Sequence, residues 1–216
     1  MRLRRKTELA PPAAAPVRPR PLHGVRFDRA DQGRRLEALH PRIREFPPID
    51  GFSMWNGSYE AVDAEVLWAI LRELRPARVL QVGRNQWAGM VIAAALKANG
   101  DDGEHLHGEG DPRDLEDRDV LFVAGAGGDF VPLVLDVLPR MAPGVLVHVH
   151  GVQLPWEDAG PNARQDLLQA YLSGNEGWEV LLGLHDLTRT EPELVRRLVP
   201  SWRGASRPSA FWLRRC

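Results

Sequence analysis

Residues 136–150 read Asp136-Val137-Leu138-Pro139-Arg140-Met141-Ala142-Pro143-Gly144-Val145-Leu146-Val147-His148-Val149-His150. The first part closes an amphipathic segment. Pro143-Gly144 is a turn signal, and Val145–His150 is a short β-rich run. An apolar run of this length, fenced by turn residues, is expected of a strand covered on both faces.

The same unit recurs on either side. Upstream, Val120–Ala124 is a second continuous apolar run, followed by a predicted helix over Phe130–Met141 with Val131, Leu133, Val134, Val137 and Leu138. Further upstream, Ala77–Gly83 is a short strand ending in glycine, and Trp87–Ala98 is an Ala-rich helix stopped by Asn99-Gly100. Before them, Val62, Val66, Leu67, Ile70, Leu71 and Leu74 recur at helical spacing over Ala61–Leu74, and Pro76 closes that helix. Asp31–Arg44 is a shorter helix candidate, ended by Pro47-Pro48. Downstream come a helix over Asn162–Leu172, a strand over Trp178–Leu184, a helix over Glu191–Leu198 and a last strand, Ala210–Leu213. Buried strands alternating with amphipathic helices predict an α/β fold, a mostly parallel sheet with helices on both faces.

Composition narrows the class. The chain has 216 residues and a formal net charge of −1, enough for one core and no charge excess that calls for nucleic acid. Its apolar runs are too short to cross a bilayer, and the basic start lacks the apolar stretch of a secretory signal. The single cysteine, Cys216, leaves neither an internal disulfide framework nor a cysteine-based zinc site. A cytoplasmic location is the natural expectation. Residues 1–24, rich in Arg, Pro and Ala, are expected to form a disordered basic tail, a solvated segment or an arm for an acidic partner. Residues 25–60 form an N-terminal helical and loop extension, and the main domain is expected over 61–216.

Several segments resemble one family. Trp55–Leu67 with Arg78–Gly83, then Asp119–Phe122, Asp136–His150, Leu154-Pro155 and Gln169–Asn175, are similar to a bacterial subgroup of class I S-adenosylmethionine-dependent methyltransferases. The likeness runs from about residue 52 to the C-terminus, with a gap. It implies a Rossmann-like, doubly wound sheet with the cofactor at the carboxyl ends of the strands. It also implies S-adenosylmethionine as cofactor and a small-molecule acceptor. Gln81, Gly83 and Asn85 would shape the cofactor turn, Tyr59 and Asp63 would lie near the methionine end, and His150 would be the base. A homo-oligomer or a protein partner is compatible with it; membrane and nucleic-acid partners are not expected.

The chain departs from that pattern in three places. Gln81-Val82-Gly83-Arg84-Asn85 stands where the family has Glu-Val-Gly, a small residue and a second glycine. About twenty residues separate Asn99 from Val120, too few for the usual two strands and a helix when one crossover takes roughly a dozen. One β-α unit is therefore expected to be reduced or missing, and the ribose-binding acid with it; Glu109 and Asp111 are the candidates to replace it. Third, Ala124 and Gly151 stand where the family has carboxylates, so no metal site of the usual kind is expected. These losses leave a second reading, a catalytically inactive scaffold or partner-binding protein.

Two more clusters have a functional and a plain reading. His148 and His150 share one strand face, as metal ligands or base, or as hydrogen-bonded strand-end residues. Glu104, His105, His107, Glu109 and Asp111 read as a metal cluster or, better, as a solvated loop around one weak strand. The Gly-rich run Gly125–Gly128 lacks the Lys-Ser/Thr of a phosphate loop and reads as a flexible replacement segment.

Overall fold

A computed structural model describes residues 18–100, 103–108, 110–125, 130–157, 162–204 and 206–216. In chain order the elements are α1 (Arg29–Ile43), α2 (Asp63–Leu74), β1 (Arg78–Val82), α3 (Gln86–Ala98), β2 (Glu104–His107), β3 (Val120–Val123), α4 (Phe130–Pro132), β4 (Leu146–Val149), α5 (Ala163–Leu172), β5 (Trp178–Gly183), α6 (Leu184–Thr190), α7 (Pro192–Leu198) and β6 (Phe211–Arg215).

The strands form one six-stranded sheet in the order β2-β1-β3-β4-β6-β5. β2, β1, β3 and β4 are parallel, while β6 runs antiparallel to both β4 and β5. This is a mixed α/β fold compatible with a Rossmann-like arrangement. The alternation of side chains along each strand divides the core. Val79, Val120, Phe122, Leu146 and Trp212 face α1, α2, α3, α6 and α7. Leu80, Leu121, Val123, Val147 and Leu213 face α5 and the segment after β3. At the amino ends of the strands, buried Asp119 accepts from the Arg78 backbone N–H at 2.9 Å and from its guanidinium, tying the starts of β1 and β3 together.

Two elements differ from the sequence expectation, and one weak strand candidate is borne out. The helix over Phe130–Met141 is broken: α4 is three residues long and passes into a π-helical segment, Leu133–Val137, then a 3₁₀ turn, Leu138–Arg140. Pro139 has no N–H to continue an α-helical ladder, and its ring crowds the preceding turn. The segment around His105, the weak strand candidate, is a parallel strand against β1, because β1 offers its free edge and the strand's backbone groups must pair somewhere. α6 was not foreseen; it starts immediately after β5, and its buried Leu184 and Leu187 belong to the core.

Between β2 and β3 the described residues hold only a short 3₁₀ turn, Pro112–Asp114. No further strand or α-helix is found among the described residues of that connection. Residues 1–17 of the expected tail lie outside the described residues. Residues 18–24 run along α5: the Arg20 guanidinium donates to Asp166 and to Gln169, and the Ser173 hydroxyl donates to the His23 carbonyl. Among the described residues, no helix is long and apolar enough to cross a membrane.

Candidate functional site

The chain leaves β1 through α3 to β2 on one side, whereas β3, on the other side of β1, leads away from it to β4. Such a switch point opens a crevice at the carboxyl ends of the strands. A cavity of about 1040 Å³ lies there, over β1, β2 and the start of α3. Gln81, Gly83, Asn85, Trp87, His105 and His107 line it, with Ser58 at one side.

The turn at its floor is built by local chemistry. Gly83 has φ +83°, a conformation open to glycine and costly for most side chains. Asn85 is the N-cap of α3, its Oδ1 accepting from the Ala88 N–H at 3.0 Å. The Gln81 amide group is consumed inside the turn. Its Nε2 donates to the Asn85 carbonyl at 3.2 Å, and its Oε1 lies 3.1 Å from His105 Nε2. Burial, and then His107 alongside, pushes His105 down to about 4. The two imidazoles lie 3.9 Å apart, and both approach Gly89 of α3, where an added Cβ would meet them in ordinary van der Waals contact.

The other three expected site residues form a second group, at the end of β4. Tyr59 is fully buried; its hydroxyl lies 3.3 Å from His148 Nε2, and its ring packs against Phe122. Burial raises it well above the ordinary phenol range. Its side chain supports the site from behind and is closed to a ligand. Asp63 opens α2, and its two oxygens accept from the Ser209 and Ala210 N–H groups at 3.0 and 3.1 Å. Burial pushes its carboxyl up to about 7, against the pull of those two bonds. Val62, just before it, has φ +76°, a strained conformation for a β-branched residue. Glu65 holds that turn, accepting from the Val62 N–H.

His150 lies between these groups. Its Nδ1 is 3.4 Å from Ser209 Oγ and 4.0 Å from Asp63 Oδ2, and its ring is 5.1 Å from Tyr59. Burial brings it down to about 4, a hydrogen bond to the Ser58 backbone opposing and the Arg164 charge assisting. Between about pH 4 and 7 Asp63 is therefore mostly protonated and His150 neutral, so the pair is not an ion pair there. His148, on the same strand face, is stacked on Phe122 at 4.1 Å and fully buried; it is a core residue.

Ser58 joins the two groups. It lines the large cavity and a smaller one of about 190 Å³ beside Asp63, and its hydroxyl is 3.4 Å from Asn85 Nδ2. Sequence reasoning passed over Ser58, Trp87, His105 and His107 as lining residues. The alternation of His105 and His107 was the available signal for two of them. Trp55 is half exposed, and Trp156 donates its indole N–H to Asp186; neither lines the large cavity. Among the described residues no group of three or more His, Cys, Asp or Glu side chains is arranged to hold a metal ion. Glu109 and residues 126–129 of the Gly-rich segment lie outside the described residues; Gly125 packs against His150. No family model matches this chain, and no curated protein matches it.

Proposed function

We propose that the chain is a class I-type, S-adenosylmethionine-dependent methyltransferase acting on a small-molecule acceptor. The observation that carries this reading is the open cavity at the β1 switch point, floored by a positive-φ Gly83 and the capped start of α3. The strand order agrees with it: a sheet of the resembled type, shortened by one unit beyond β2, would have this order and an antiparallel β6. The cavity is large enough for a nucleoside with an amino-acid arm, and Gly83 presents backbone rather than side chain to it.

The residues divide the work. Gly83 and Asn85 shape the turn on which the nucleoside would lie, with Gln81 holding that turn closed. His107, at the end of β2, lines the cavity and would hold the ribose. Trp87 supplies an apolar wall. Bound there, the cofactor supplies an activated methyl group. His150, neutral at pH 7, can take the acceptor's proton, with the Ser209 hydroxyl beside its Nδ1 and Asp63 holding the Ser209 backbone. Titration calorimetry with S-adenosylmethionine and its demethylated product tests the binding half, and no heat at millimolar ligand would sink it. If transfer is then detected, His150→Gln is expected to lower kcat by about a hundredfold or more while cofactor affinity stays within a factor of a few.

One observation favours the scaffold reading. Among the described residues lining the cavity there is no carboxylate for the cofactor's ribose or ammonium, and the Gln81 amide is already committed to Asn85 and His105. A protein that binds neither compound yet folds normally would be that scaffold.

A further inference from the structure

A half-buried arginine stands without a counter-charge near His150. Arg164 lies in the first turn of α5, and among the described residues its guanidinium has no hydrogen-bond or ion-pair partner; its Nε is enclosed with none. The other half-buried arginines are engaged. Arg20, Arg35, Arg42 and Arg78 pair with carboxylates, and Arg72 and Arg215 donate to the Asn99 side-chain oxygen and the Gly177 carbonyl.

Stability does not explain this placement. Burial lowers the Arg164 pKa from its ordinary value, and taking a charge out of water without a partner costs free energy. A cation in the first turn of a helix is also opposed by the helix dipole. What holds the side chain is the Phe130 ring, 4.5 Å from the guanidinium. Stacking on a ring face orients a guanidinium and leaves its N–H edge free. With Nε enclosed, the two Nη groups are the edge left for a ligand.

The position is fixed from two sides. Phe130 starts α4, in the connection that follows β3. Asn162 Nδ2 donates to the Gly151 carbonyl at 3.2 Å, which holds the start of α5 against the end of β4, next to His150. The charge of Arg164 reaches His150 and disfavours its protonation. The Arg164 and Gln165 N–H groups are already taken by Asn162 Oδ1, so anion capture falls to the side chain rather than to the helix start. The His150 side chain keeps 13% of its surface exposed, so a ligand can touch it.

We propose that Arg164 selects the acceptor: its guanidinium binds a carboxylate of the small molecule and so sets another part of that molecule against His150. One fork and one positive charge match the two oxygens and single charge of a carboxylate, whereas the larger charge of a phosphate monoester calls for further cations. The inference rests on the reading of His150 as the base. It adds the class of acceptor, a small carboxylic acid with a second group, hydroxyl or amine, that gives up the proton.

The test is binding of two simple carboxylates, benzoate and acetate, to the full chain at pH 7 without a methyl donor. Binding is followed by the NMR signals of the His150 imidazole, assigned with His150→Gln. Benzoate is expected to shift those signals saturably, and its uncharged counterpart benzamide to leave them in place. Arg164→Gln is expected to weaken benzoate by about tenfold or more, and Arg164→Lys by less, since it keeps the charge and loses the fork. The thermal unfolding midpoint of Arg164→Gln is expected to change little, because the lost ring stacking and the relieved dipole repulsion offset one another. A large fall in that midpoint, no saturable shift with either carboxylate at millimolar concentration, an equal response to benzamide, tighter binding of inorganic phosphate, or an Arg164→Gln variant that binds like the parent protein would each overturn the assignment. Methyl transfer fails separately. A protein that takes benzoate through Arg164 but not S-adenosylmethionine loses that reading and keeps the acid site, and one that takes only S-adenosylmethionine loses the acid site alone.

Discussion

Asp63 is the residue whose chemistry differs most from its ordinary behaviour. An acid whose folded pKa stands near 7, against 3.8 for the free group, holds its proton more tightly when folded. Folding then takes up a proton between about pH 4 and 7, and this group's contribution to stability falls as pH rises through that window. At about 1.4 kcal/mol per pKa unit the loss amounts to a few kcal/mol. His150, depressed to about 4, acts oppositely: its penalty grows as pH falls below about 6.5. The comparison that isolates Asp63 is urea unfolding of the parent and of Asp63→Asn across pH 4–8. The parent is expected to lose stability relative to the variant as pH rises, and parallel curves would refute this account of the site. The sequence marked Asp63 and His150 as separate residues by resemblance. It did not show that the Ser209 and Ala210 backbone lies between them, because that meeting joins positions about 146 residues apart.

At the scale of elements, two junctions hold the site in place. Asn85 caps α3 at the cavity floor, and Asn85→Ala is expected to cost about 1 kcal/mol by removing the side-chain acceptor of the Ala88 N–H at the helix start. A change in the midpoint of thermal unfolding, with the cofactor affinity measured in parallel, would show whether the cap serves both stability and binding. The second junction ties α1 to α6. The fully buried Asp186 carboxylate accepts from both Nε and Nη2 of Arg29, and from the Trp156 indole at 2.8 Å. Removing one partner of such a pair leaves a buried charge uncompensated, a cost of roughly 3 kcal/mol. Arg29→Ala is therefore expected to destabilise far more than Arg34→Ala, whose guanidinium pairs with Asp31 at the surface. Similar unfolding midpoints for the two variants would count against a structural role for this pair. Helix spacing made α2 and α3 legible in the sequence, whereas α6 was missed because it follows β5 with no turn signal between them.

For the whole molecule, the shortened β2–β3 connection has consequences for stability. β2 lies at the sheet edge, pairs only with β1, and has no fully buried residue. β3 and β4 are central and buried throughout. Local opening free energies follow burial and pairing. Amide hydrogen exchange is expected to be fast in β2 and around Pro112–Asp114, and slowest in β1, β3 and β4. Equal protection in β2 and β3 would mean that the edge is covered in solution, for instance by a second copy of the chain. Ligand binding in the large cavity is expected to slow exchange in β2 selectively, since His105 and His107 line it.

Short-range information in the sequence determined the α/β class. The apolar runs at Val120–Val123 and Leu146–Val149, the spacing of α2 and α3, and the turn at Gly83 each follow from neighbours within a few residues. The short stretch between Asn99 and Val120 likewise limited what could lie there to one short strand and a connection. Tertiary structure alone decided three things. It gave the weak strand candidate around His105 and His107 its partner, β1. It broke the segment after β3, where Pro139 and packing prevailed over an apolar helical pattern. It gathered Arg189, Arg196 and Arg207 around one cavity. The physical reason is common to all three: local propensity is set by adjacent residues, while strand pairing, burial and the meeting of distant charges are set by contacts that exist only after the chain has closed on itself.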